Sequence, residues 1–202
     1  MSKIYPWDYH SDLTEDRLIT VAAMLVDGRY AALERFDEDA GDNGWTHGCR
    51  AFQFCRHRIL KAIDSGDYVW LTAIDRTLQL IFKIGDVPVR IYKGDAEEPT
   101  ERTLRQSFGE LRQLEMLFPE YDAGRDLAYR FAVETDIEGS VLAVKFVGLR
   151  GESAVLIWDV PIDGASAPLG TVGRAATDSV HMEPPSVGLR TDRDSAEDGK
   201  KV

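Results

Sequence analysis

His47, Arg50, Gln53, His57, Arg58 and Lys61 crowd hydrogen-bond donors and cations into one short stretch of an otherwise acidic chain. Set on a helix at roughly 100° per residue, they fall opposite Ala51, Phe52, Cys55, Ile59, Ala62 and Ile63, which form an apolar side. Such a stripe suits an anion or the phosphates of a nucleic acid, although a solvated basic face paired with acids of the same protein is the plainer account. Arg50 and His57 share a face two turns, or about 10 Å, apart. A histidine can move a proton while a fixed arginine holds a phosphate, so these two form the candidate catalytic pair. His47, Cys49, Cys55 and His57 invite a metal reading, but on a helix they radiate over most of the wheel and cannot converge on one ion. No metal and no other cofactor is expected.

The order arginine, six residues, histidine is similar to the R-x(4-6)-H pattern of HEPN-type ribonucleases, and the similarity covers those two residues alone. It implies RNA cleavage by Arg50 and His57 on an all-helical domain. About half of this chain reads as strand instead, and no family is assigned.

Those strands organise the rest of the sequence. Gly85-Asp86 separates two alternating runs as a tight turn would, setting Ile84 opposite Val87 and Phe82 opposite Val89, with Leu80 opposite Ile91. One face is then apolar throughout. A second turn at Asp75-Arg76 adds Val69, Leu71 and Ala73 to it, leaving Tyr68, Trp70, Lys83, Arg90 and Tyr92 on a mixed face. Aromatic rings interleaved with cations are what a protein interface or a single nucleic-acid strand requires, and these five are the candidate partner-binding residues. If another element covers that face, they are half-buried residues with their charges reaching out.

Around this meander, Thr14 with Glu15 and Asp16 opens a first helix along Ile19, Ala22, Val26, Tyr30 and Leu33. Residues 37–44 resemble a calcium loop only superficially, because Gly41 and Arg50 occupy positions that need oxygen ligands. Asp42 or Asn43 caps the second helix. The acidic run Asp95 to Glu98 and Pro99 start a third, with Leu104, Phe108, Leu111 and Leu114 facing the apolar side of the meander. Residues 127–134, 141–147 and 154–160 read as three more strands, turning at 136–139 and 150–152.

The expected architecture is therefore α+β in the order α-α-β-β-β-α-β-β-β, two antiparallel three-stranded meanders packed with helices. Residues 1–160 form the domain and 161–202 a flexible, disordered tail of low complexity, in which Val180 to Val187 is a candidate extended recognition segment, a plain linker or disordered end being the favoured reading. Of 202 residues, 44% are hydrophobic and 29% charged, an ordinary globular balance. The formal net charge of −11 disfavours a general nucleic-acid coat or an anionic-membrane binder. No apolar run reaches membrane-spanning length and no signal peptide is evident, which points to the cytoplasm. Phosphate loops, dinucleotide fingerprints, nucleophile elbows and paired CxxC motifs are missing. The leading expectation is a non-enzymatic, regulatory or antitoxin-like accessory protein binding a protein partner. The alternative is an RNA or single-stranded nucleic-acid binding or cleaving protein that uses the basic helix face.

Overall fold

The computed structural model describes residues 4–100, 103, 127–151 and 153–162. Its elements are the short helix α1 (Pro6–Tyr9), the long helices α2 (Glu15–Leu33) and α3 (Gly44–Ser65), and six strands: β1 (Leu71–Asp75), β2 (Ile81–Ile84), β3 (Val87–Lys93), β4 (Ala128–Thr135), β5 (Val141–Arg150) and β6 (Ser153–Asp159). The class is α+β, but the strands form one mixed sheet in the order β1-β2-β3-β4-β5-β6 rather than two separate meanders. Every neighbouring pair is antiparallel except β3 and β4, which run parallel with Val89 opposite Tyr129 and Ile91 opposite Phe131. A parallel pair needs a long crossover between its strands, and here the chain from Gly94 to Leu127 provides it. Of the expected third helix in that connection, the acidic entrance from Asp95 to Pro99 is described and is not helical, while the rest but for Thr100 and Thr103 lies outside the described residues, as does the tail beyond Ile162.

α2 and α3 pack on one face of the sheet. Leu18, Val21, Ala22, Leu25 and Val26 of α2 and Cys55 and Ile59 of α3 share a core with Phe82, Ile84, Val89, Phe131, Val144, Phe146 and Trp158. Burying each of the Val, Leu, Ile and Phe side chains among them contributes about 1.5–3 kcal/mol. The apolar face of the first meander, expected to receive the third helix, is thus occupied by the first two long helices. Their crossing is close, because Gly28 of α2 lies against the backbone of Cys55. Asn43 caps α3, its side chain accepting from the N–H groups of Trp45 and Thr46. At the other end of the chain fold, Trp7 of the N-terminal segment packs edge-on against Trp158 of β6, ring centroids 5.4 Å apart.

The Gly85-Asp86 turn is as read, with Phe82 opposite Val89 and Ile84 opposite Val87. Gly85 adopts φ 59, which a two-residue hairpin turn with glycine at its first central position requires. The Asp12 carboxylate sits where a Cβ on Gly85 would be, accepts from the N–H of Asp86 at 3.0 Å, and is held by Arg17 at 2.9 Å. The hydrogen bond from Asp86 and the Arg17 guanidinium hold the Asp12 carboxyl below its ordinary value. A depressed carboxylate stabilises the fold above its unfolded pKa, and that contribution is lost as pH falls through the folded value. Asp12→Ala is expected to cost about 1–2 kcal/mol at neutral pH. Urea titrations of wild type and variant should converge as the pH drops well below 3.8, the ordinary carboxyl value.

The other expected turn is corrected. β1 pairs with Ala73 opposite Phe82 and Leu71 opposite Ile84, so the connection runs through Arg76 to Leu80 instead of turning at Asp75-Arg76. The displacement is even, so Leu71 keeps its apolar face. Leu80 is buried ahead of β2 at φ 37 and is not paired with Ile91.

A cationic cleft beside the third helix

The elements just described enclose a cleft of about 780 Å³. α3 forms one wall with Gly44, Trp45, Gly48, Cys49, Phe52 and Gln53. Arg90, Ile91, Tyr92 and Lys93 of β3, Arg130 of β4 and Arg29 of α2 also line the cleft. Leu78 and Gln79 of the β1–β2 connection, with Thr100 and Thr103, complete the lining among the described residues. Four of these side chains are cations and none is a carboxylate.

Arg29 is the unusual member. It is 5% exposed, and its Nε has no hydrogen-bond partner. Its one hydrogen bond among the described residues is weak, Nη2 donating to the Gly139 carbonyl at 3.4 Å, and it makes no ion pair among them. Burial lowers its pKa, yet an arginine remains protonated at neutral pH. A guanidinium taken out of water without a counter-charge costs several kcal/mol. Its position follows from the sequence: on α2 it recurs with Ala22, Leu25, Val26 and Ala32 on the buried side.

His47 lies next to this charge. It is 6% exposed, with both ring nitrogens lacking hydrogen-bond partners, and its ring meets Phe36 edge-on at 5.6 Å. Burial, then the positive charges of Arg29, Lys93 and Arg50, push its pKa down, so the imidazole is neutral near pH 7. The β4–β5 turn closes over both residues at Gly139, where φ is +98 and a Cβ would stand 2.6 Å from His47 Nε2. Only glycine satisfies both conditions there.

The remaining residues of the expected basic stripe go different ways. Arg50 is engaged, its two terminal nitrogens donating to the Asp42 carboxylate at 2.7 and 2.9 Å and Nη1 also to the Arg35 carbonyl at 2.6 Å. That pairing depresses the Asp42 carboxyl and leaves the guanidinium occupied, while His57 is exposed. Arg58 sits 3.9 Å from Asp27, Lys61 is exposed, and Gln53 lines the cleft. Cys55 is in the core, its thiol donating to the Leu25 carbonyl at 3.3 Å and pushed by burial up to about 11. Cys49 is free and exposed. Among the described residues, no group of three or more metal-ligating side chains comes together.

The expected partner-binding residues are likewise divided. The chain turns at Tyr68, whose carbonyl accepts from Leu71, so strand alternation does not reach back to Tyr68 and Trp70. Both pack against the helix-side core, and Arg17 covers Trp70 at 5.6 Å from the ring. Lys83 contacts Asp86 at 3.4 Å. Arg90 and Tyr92 belong to the cleft. Tyr92 donates to the Asp95 carbonyl at 3.2 Å and its hydroxyl is pushed up to about 12, chiefly by burial. Arg29, Lys93 and Arg130 are the site residues that sequence reasoning missed. A cation recurring at the apolar period of α2 was the available signal for Arg29.

No helix among the described residues is long and apolar enough to cross a membrane. Compared with known proteins, the chain matches no family model, no curated protein and no solved structure.

Proposed function

We propose that this protein binds a small phosphorylated anion in the cleft between α3 and β3. Function must be argued from the site where no relative supplies it, and the observation that carries this reading is Arg29: a buried guanidinium at the cleft with no counter-charge among the described residues. An anion seated there would supply the missing charge in a setting of low dielectric, where each charge-assisted hydrogen bond is strong. Lys93 adds a second, exposed cation. The volume falls within the range of small-molecule sites. The overall charge of −11 favours a compact ligand over a long polyanion, which the rest of the surface repels.

A protein partner on the Trp70 side draws less support, because Arg17 already covers that ring. Cleavage of RNA by Arg50 and His57 also draws less, since Asp42 occupies the arginine.

Isothermal titration of the full chain with inorganic pyrophosphate at low ionic strength tests the reading. One site per chain is expected, with affinity that falls as salt is raised and at least tenfold weaker binding in Lys93→Ala. Absence of any heat, together with no shift in thermal unfolding, would sink it.

A further inference from the structure

We infer that the ligand carries an aromatic ring beside its phosphate, as a free nucleotide does, and that the ring lies over Gly48 on α3 between Trp45 and Phe52. This rests on the anion-binding reading above and names its ligand class.

The argument comes from the α3 wall. Trp45 is 76% exposed, an unusual position for so large an apolar group, and it stands at the mouth of a cleft. Phe52, half-buried, lines the same cleft two turns on. Between them is Gly48, and a Cβ placed there, or at Gly44, would meet no described atom within 4 Å. Seven residues of helix span about 10 Å, and stacked rings sit with centroids about 4.5–7 Å apart. One flat ring therefore fits between the two side chains, with the bare helix backbone as its floor.

Glycine at this position has a cost that the described packing does not offset. In a helix interior it is less favourable than alanine by about 1 kcal/mol, and no described neighbour needs the space. A ligand that approaches the backbone does need it. Arg29 and Lys93, the cations of the anion reading, meanwhile belong to α2 and β3, so ring and phosphate would be held by different elements. Such a division is what a ligand with a flat apolar part and a charged part requires. A stripe of small residues alone would say little, but here the buried Arg29 guanidinium opens onto the same cleft.

The test compares four probes on the full chain by calorimetry and tryptophan fluorescence: adenosine triphosphate, uridine triphosphate, pyrophosphate alone and adenosine alone. At least one nucleotide is expected to bind tenfold or more tighter than pyrophosphate and adenosine. Trp45→Ala, an exposed change that leaves the core intact, is expected to weaken that nucleotide about tenfold and to leave pyrophosphate unaffected. Gly48→Leu should do the same by filling the floor. Equal affinity for pyrophosphate and every nucleotide, insensitive to both variants, would overturn the ring assignment while the anion reading stands. Binding by none of the four would remove both. A short single-stranded RNA that binds more tightly than either nucleotide would overturn the assignment to a free ligand.

Discussion

Arg29→Met is expected to make the free protein more stable, by about 1–3 kcal/mol in urea unfolding. Most core substitutions do the opposite. The sign reverses here because the guanidinium is desolvated, has an unpartnered Nε, and reaches only one carbonyl at a long 3.4 Å. Methionine is unbranched and adaptable and can fill much of the same volume, so the variant removes a buried charge and keeps most of the packing. The advantage should shrink in ligand, and invert wherever it is smaller than the ligand's contribution. Saturation at a hundred times the dissociation constant stabilises a binding protein by about 2.7 kcal/mol, and only the wild type is expected to gain it. The unfolding curves of the two proteins, measured with and without pyrophosphate, should therefore converge or exchange order in ligand. A variant that is less stable than wild type without ligand would mean that Arg29 is already neutralised in the free protein, and the cleft would lose its main argument.

The second large effect is steric. Gly28→Ala is expected to destabilise the protein by about 2–3 kcal/mol, against an intrinsic helix preference that favours alanine by about 1 kcal/mol. The added Cβ would lie 2.7 Å from the Cys55 backbone nitrogen and 2.8 Å from its Cα, atoms that cannot rotate away. α2 and α3 would have to separate along their whole shared core. Gly48→Ala is the internal control. It sits in open space among the described residues, so the same change there should add stability of up to about 1 kcal/mol. Denaturant midpoints for the two variants should move in opposite directions. Movement in the same direction would contradict the backbone contact between the helices.

Much of the fold was legible where the hydrophobic period was clean. α2 and α3 lie close to their expected bounds, and Ala51, Cys55 and Ile59 are buried as the wheel required. The strands of the second half and the Gly85 hairpin also follow from alternation and turn chemistry. The joining of the halves was not legible. In β4, Arg130, Phe131, Ala132 and Val133 are all buried, so the strand is covered on both faces and its alternation carries no message about which neighbour it takes. The β1–β2 register was missed because Arg76 to Leu80 mimics strand while acting as a connection. Arg56 of α3 pins it by donating to the carbonyls of Arg76 and Thr77, a contact no local pattern contains. The site was legible in part: the sequence drew attention to Gln53, Arg90 and Tyr92, but a helix wheel treats every arginine as solvated, and so it passed over Arg29.

The parallel pairing of β3 with β4 has a kinetic meaning as well. Each three-stranded half can zip from its own hairpins, where partners are close along the chain and little entropy is lost before the first hydrogen bonds form. The seam between the halves has no such shortcut, since its partners are separated by the whole stretch from Gly94 to Leu127. Joining of the two ribbons is then expected to be the slow event, and the cationic cleft, which draws Arg90 and Lys93 from one ribbon and Arg130 from the other, would come into being only when that event is complete. Ligand present during refolding would find no site on either ribbon alone, so it should leave the folding rate unchanged and slow only the unfolding.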